Sequence, residues 1–330
     1  MLTLPRNLFY QQQRSGISSL EKVDLSENRL TTIYPDSFNG LSSVDVLNLA
    51  ENKLSDVIAN FSRHLKGLAS LNLIGNLIST IEDGAFSGMT RLQELDMANN
   101  DLTLLKSQTF AGLDSLQRLY LSHNKIKAIQ FDAFSHTTKL RNLYLKHNHL
   151  TSISKQLFSN LNYLKILDIS HNKLEEIEDF AFSGLDIWTL HLDYNDIRTI
   201  RNNTLFGLKA LDTLYIDNNN VENIETDSFK GLLNLQHLEM SGNKMICNCA
   251  YINMLISFEV SRLQTDCQRN LQQEAPGAPN MPENVTKSWS SWEVWSCCEA
   301  DKCGNASSPS VRTVLCINCN DTHSPLCTKH

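Results

Sequence analysis

The stretch Leu20-Glu21-Lys22-Val23-Asp24-Leu25-Ser26-Glu27-Asn28-Arg29-Leu30 decides the fold, because it does not occur once. Its spacing returns as Leu116, Leu119, Leu121, Asn124, Ile126 and again as Leu235, Leu238, Met240, Asn243, Met245. Followed by its asparagine, the unit stands at 28, 52, 76, 100, 124, 148, 172, 195, 219 and 243, a step of 24 with one step of 23. The short step is local: one residue separates Leu185 from Ile187 where two intervene in other rungs. Ten residues after most of the asparagines comes a phenylalanine, at Phe38, Phe86, Phe110, Phe134, Phe158, Phe182 and Phe229.

Each part of the unit has a physical role. Apolar residues two apart, as at Leu119/Leu121 or Leu143/Leu145, predict a short strand with one buried face, and stacked rungs make a parallel sheet. The asparagine is expected to turn inward and bond backbone groups that stacking would otherwise bury unpaired. The phenylalanines then fill the opposite side as a column. Burying roughly six apolar side chains per rung contributes ~1.5–3 kcal/mol apiece before chain entropy is set against it. One rung alone cannot fold, whereas ten stacked can. Two rungs deviate: Phe61 comes one residue early after Asn52, and Phe206 one late after Asn195, so both are expected to bend the back of the stack locally.

Composition bounds the function. Across 330 residues, 41% hydrophobic and 20% charged content excludes a disordered or collagen-like chain. A net charge of −7 supplies no field for a polyanion, so no nucleic-acid partner is expected. No window approaches ~18 consecutive apolar residues, so no membrane span is expected in this chain. Met1 to Phe9 lacks the basic and apolar runs of a signal peptide. All nine cysteines lie at or beyond Cys247, which points to small stapled modules in an oxidising compartment. Five N-glycosylation sequons, at Asn60, Asn202, Asn284, Asn305 and Asn320, lean the same way.

The repeated pattern resembles the leucine-rich repeat of extracellular proteins. That resemblance implies an α/β solenoid: a horseshoe with a parallel β-sheet on its concave face. The solenoid is expected over 1–245, with ten full repeats from Leu20 and a partial one before, since Leu4-Pro5-Arg6-Asn7-Leu8-Phe9 looks like the second half of a rung. Family members usually begin with a cysteine-bearing cap. The start in mid-pattern therefore leads to the expectation that a longer natural protein supplies both cap and signal peptide upstream.

After the last rung, Cys247-Asn248-Cys249, the helically spaced Ile252, Leu255, Ile256 and Val260, and Cys267 resemble the family's C-terminal cap, expected over 246–269. Lys244 and Met245 stand where that cap usually carries Pro and Trp. Residues 270–286 hold three of the seven prolines and read as a linker. In 287–330, Trp289, Trp292 and Trp295 precede Cys298, Cys303-Gly304, Arg312 and Cys316. This resembles an incomplete thrombospondin type-1 repeat, which implies tryptophan rings layered with arginine and C-mannose on Trp289 and Trp292. Val314 stands where the family has a second arginine, so that stack would be short.

Under these resemblances the cysteines can be shared in two ways. Either Cys247, Cys249, Cys267 and Cys297 serve the cap and Cys298, Cys303, Cys316, Cys319 and Cys327 the tail, leaving one unpaired, or six serve the tail and one cap cysteine is free. A rival stays open: Cys298, Cys303, Cys316 and Cys319 are spaced nearly as a four-cysteine zinc site, which would suit an intracellular leucine-rich repeat scaffold.

A ligand surface is expected on the concave strands. The residue between each pair of apolar strand positions and the residue before each asparagine place Tyr120, His123, Tyr144, Lys146, His147, His171, His191, Tyr194 and Tyr215 on rungs five to nine. Strands ~4.8 Å apart would make this aromatic field roughly 20 Å long, the dimension of an interface centre. Its histidines predict affinity that changes between pH 5 and 7. A metal held by His147, His171 and His191 is disfavoured because a flat stripe does not wrap an ion. No nucleophile elbow, zinc-protease helix or phosphate loop is present, so neither enzymatic activity nor a cofactor is expected. The expected function is extracellular protein recognition of a receptor, adhesion or guidance type, by a secreted chain or an ectodomain. Glycosaminoglycan binding by the tail has only Lys287, Lys302, Arg312 and Lys329 behind it.

Overall fold

A computed structural model describes residues 2–10, 20–225, 227–245 and 262–264. Three-residue strands, one per rung, run parallel in chain order from Lys22–Asp24 to His237–Glu239, and Arg262–Gln264 pairs beyond the last of them. The register restates the repeat: Leu119 pairs with Leu95 on one side and Leu143 on the other. At the short rung Asp168 pairs with His191, and the lost residue is absorbed in the turn before the strand, between buried Leu185 and Ile187.

In every rung from Val46–Asn48 onward the middle strand residue is buried and its two neighbours face outward, half-buried. Behind the long sheet, two-stranded parallel ladders such as Leu104–Leu105 with Ala128–Ile129 close the other wall. The helical share of the expected α/β class is small. Among the described residues it includes the 3-10 turn Pro35–Phe38, and the back of the stack is otherwise turns and short strands. The partial first rung is real: Leu2–Leu4 pairs with Leu30–Ile33, and Leu4 and Phe9 are buried.

The asparagines form a continuous ladder. Asn124 donates from Nδ2 to the carbonyls of Leu121 (3.1 Å) and, one rung back, Met97 (3.0 Å), while its Oδ1 accepts the Leu102 N–H at 3.0 Å. The same three bonds recur at Asn52, Asn76, Asn100, Asn148, Asn172, Asn195, Asn219 and Asn243. All seven phenylalanines of the ten-residue offset are fully buried. From Phe110 to Phe182 their rings stack at 6.0–6.2 Å.

One expectation needs correction. Phe206 is not a late member of this column. Leu205, ten residues after Asn195, fills the place and is buried, while Phe206 is 53% exposed. Phe61 does come one residue early and still packs inside, edge-on to Phe38 at 5.4 Å. Gly112, at φ +96°, shows why a turn on the back wants glycine: a Cβ there would stand 2.6 Å from the Phe86 carbonyl oxygen.

Apart from Arg262–Gln264, which falls within the expected cap, the cap, linker and thrombospondin-like expectations, with Cys247, Cys249, Cys267, Cys297, Cys298, Cys303, Cys316, Cys319, Cys327, Trp289, Trp292, Asn284, Asn305 and Asn320, lie outside the described residues.

Candidate functional site

Of the nine residues expected on the ligand surface, the eight rings lie along the long sheet in two stacks rather than one field. Tyr120 and Tyr144 hold the last position of adjacent strands and lie parallel, 4.9 Å apart. Asp168 takes the same position on the next rung and interrupts them; the column resumes as His191 on Tyr215 at 4.4 Å. Three residues further along each rung, His123, His147, His171 and Tyr194 form an unbroken stack with ring centres 4.2–4.3 Å apart. Lys146 lies between the two columns in sequence, just before His147.

The second stack follows from backbone geometry. Every residue preceding a ladder asparagine, from Glu27 to Gly242, has φ between +50° and +69°. That left-handed turn swings the asparagine inward and throws its predecessor outward. For His123, His147, His171 and Tyr194 it is a conformation in which a Cβ costs about 1–2 kcal/mol. Glycine serves this turn at Gly75 and Gly242, so the side chains at the other rungs are retained against a small backbone cost.

Electrostatics divides the face. Burial pushes the His147 imidazole below its ordinary pKa, and the neighbouring His171 and His123 add to the shift. His171 is lowered by burial and then by Lys146. Beside these rings sit carboxylates: His191 Nδ1 lies 3.6 Å from Asp193 Oδ1, and burial raises Asp217, with Asp193 and Glu239 raising it further. Arg118 flanks Tyr120 and binds Glu94 through Nη2 at 2.7 Å. Burial and then Glu94 raise the Tyr120 phenol, which favours the neutral hydroxyl.

His147 and His171 touch, but His191 belongs to the other stack, so the three histidines do not converge. Sequence reasoning missed His237, whose ring lies 5.4 Å from Tyr215. It occupies the first position of its strand, which also faces outward; reading that position would have found it. The acidic component, Asp193 and Asp217, was equally legible one residue before the left-handed turn.

Against known proteins, the leucine rich repeat model matches residues 18–78, 59–102, 91–150, 138–197 and 187–245. The chain belongs to the leucine-rich repeat family. A search of curated proteins returns no match. Among solved structures, one similar chain comes from the TLR13–ssRNA13 complex, with 26% identity and a TM-score of 0.68 over 78% of this chain and 40% of that one. A second belongs to the Toll–Spatzle complex of Drosophila, at 25% identity and TM-score 0.69, covering 78% of this chain and 34% of that one. A third comes from the octameric complex of Latrophilin 3, Unc5D and FLRT2, whose FLRT2 component is its LRR part, at 29% identity and TM-score 0.66 over 76% of each chain. This chain therefore spans well under half the length of the first two.

Proposed function

We propose that this chain is an extracellular recognition module that binds a protein through the face of its long sheet. The carrying observation is the pair of aromatic stacks, Tyr120–Tyr144 with His191–Tyr215, and His123 through Tyr194. Rings pre-stacked on a continuous parallel sheet lose little freedom on binding, and aromatic side chains of this kind concentrate interface energy. The solved relatives support the reading, since they include complexes with Spatzle and with Latrophilin 3 and Unc5D. TLR13 was solved with single-stranded RNA. Here the carboxylates Asp168, Asp193, Asp217 and Glu239 share the face and oppose a phosphate backbone, which favours a protein ligand.

The sequons Asn60 and Asn202 are exposed on the back, so glycans there would leave the long-sheet face bare. A cysteine-rich cap over 246–269 and a thrombospondin type-1-like module over 287–330 belong to the proposed ectodomain, the second as a further adhesive element.

The test is to display the secreted chain against an array of purified extracellular domains from the same organism, then to repeat any positive pair with Tyr120→Ala/Tyr144→Ala/Tyr215→Ala and with the back-face variant Phe131→Ala. A hot-spot cluster predicts loss of at least ~2 kcal/mol, about thirtyfold or more, for the first and no change for the second. Unchanged binding by the triple variant, with its fold intact, overturns the proposal. Thiol labelling under denaturing, non-reducing conditions separates the compartments: the ectodomain predicts at most one free cysteine, and an intracellular zinc scaffold predicts all nine.

A further inference from the structure

Away from the long sheet, Phe180 and Phe206 form an exposed aromatic pair, edge to face with ring centres 5.3 Å apart and planes at 79°. They are 42% and 53% exposed. One carbonyl gathers them: Asn203 O accepts the Phe180 N–H at 3.0 Å and the Phe206 N–H at 3.4 Å. Asn203 is further tied down by its Nδ2, which donates to Asp179 Oδ2 at 3.2 Å. Phe180 holds φ +64°, where an aromatic residue is strained. The back of the stack thus keeps two large rings in water, one of them at a backbone cost.

The residue bonded to Asn203 on its N-terminal side is Asn202, the first residue of the sequon Asn202-Asn203-Thr204. Two bonds tie it to the following rung, with Phe206 on its own turn and Phe180 on the rung before. The Asn202 N–H donates to Glu225 Oε2 at 2.8 Å, and Asn202 Oδ1 accepts the Asp227 N–H at 3.3 Å. Both bonds survive N-glycosylation, which replaces one hydrogen on Nδ2, an atom with no partner among the described residues. The Thr204 hydroxyl accepts the Arg201 N–H at 3.1 Å and is buried, which holds the turn that carries the sequon.

We infer that the first sugar of a glycan on Asn202 packs against the Phe180–Phe206 pair, so that carbohydrate, rather than a protein partner, covers this patch. The inference rests on the extracellular reading above. The C–H face of an N-acetylglucosamine is apolar and comparable in size to a phenyl ring, and covering the pair removes exposed aromatic surface from water. The other described sequon supplies a contrast within the molecule. At Asn60 the neighbouring aromatic, Phe61, is buried against Phe38, so a sugar there meets no exposed ring in its own turn.

The experiment uses the full chain secreted from cells that attach N-glycans. Melting temperatures are compared for wild type and Asn202→Gln, then for the same pair in a Phe180→Asn/Phe206→Ser background. Losing the glycan should lower Tm by a few degrees in wild type and by less than about one in the ring-free background, because the coupling is then gone. Trimming the glycan to its first sugar should leave Tm unchanged, and NMR of a labelled glycan should show that sugar's protons shifted upfield by the rings. Equal Tm losses in both backgrounds overturn the inference, as does an unmodified Asn202 in secreted protein that carries sugar at its other sequons. Wild-type dimers that dissociate on Phe206→Ser would overturn it in favour of a second copy as the cover. If no sequon is modified and all cysteines are free, the extracellular reading itself fails, which is a separate outcome.

Discussion

Replacing Asn148 by alanine tests the ladder on which the fold depends. Asn148 is 3% exposed, and its side chain serves two rungs: Nδ2 donates to Leu145 O at 2.9 Å and Leu121 O at 3.0 Å, and Oδ1 accepts the Ile126 N–H at 3.0 Å. Asn148→Ala orphans the buried Ile126 N–H and takes one of two donors from each carbonyl, since Leu121 O keeps Asn124 Nδ2 and Leu145 O keeps Asn172 Nδ2. At ~1–3 kcal/mol for the orphaned amide and ~0.5–1.5 kcal/mol for each of the two lost bonds, the loss sums to about 2–6 kcal/mol. Asn28 is the control in the same chain. It is exposed, and among the described residues its Nδ2 bonds only within its own rung, to Leu25 O at 3.0 Å and Ser26 O at 2.8 Å. Asn28→Ala should therefore cost ~1 kcal/mol or less. Urea unfolding followed by far-ultraviolet circular dichroism measures both, and amide exchange at Ile126 should accelerate in Asn148→Ala alone. If the two variants lose the same stability within ~0.5 kcal/mol, the ladder is not what joins the rungs.

Two further outcomes follow from the geometry. Phe134→Ala removes a buried ring stacked between Phe110 and Phe158 and should cost ~3–5 kcal/mol, whereas Phe131→Ala, on the same rung but 61% exposed, should stay within ~0.5 kcal/mol in calorimetry. His147 and His171 have folded pKa values below the unfolded value, so the unfolded chain binds protons first as pH falls through about 6.5. Their contribution is thus fully present above that pH and declines below it; His147→Tyr/His171→Tyr, which keeps rings in the stack, should flatten unfolding midpoints measured from pH 7.5 to 5, and an unchanged slope would exclude these residues as its source.

The stack was legible in the sequence because its physics is periodic. A fixed offset places Asn124 inward and Phe134 in the buried column regardless of neighbours, so spacing alone located both. What spacing could not supply was the division of the face into two ring stacks. That depends on a left-handed turn at one position per rung, and neither His123 nor Tyr194 advertises such a turn as glycine would. Phe206 misled for a related reason: aromatic identity suggested the buried column, while register gave the place to Leu205.

The shortened rung carries a broader consequence. Because the missing residue is taken up before the strand begins, His191 and Tyr215 stay in vertical alignment with their neighbours. The front of the molecule is therefore insulated from length changes behind it, much as print on a page is unaffected by the binding. A residue can be lost or gained on the reverse while each surface character keeps its row and column, so the face can change one letter at a time.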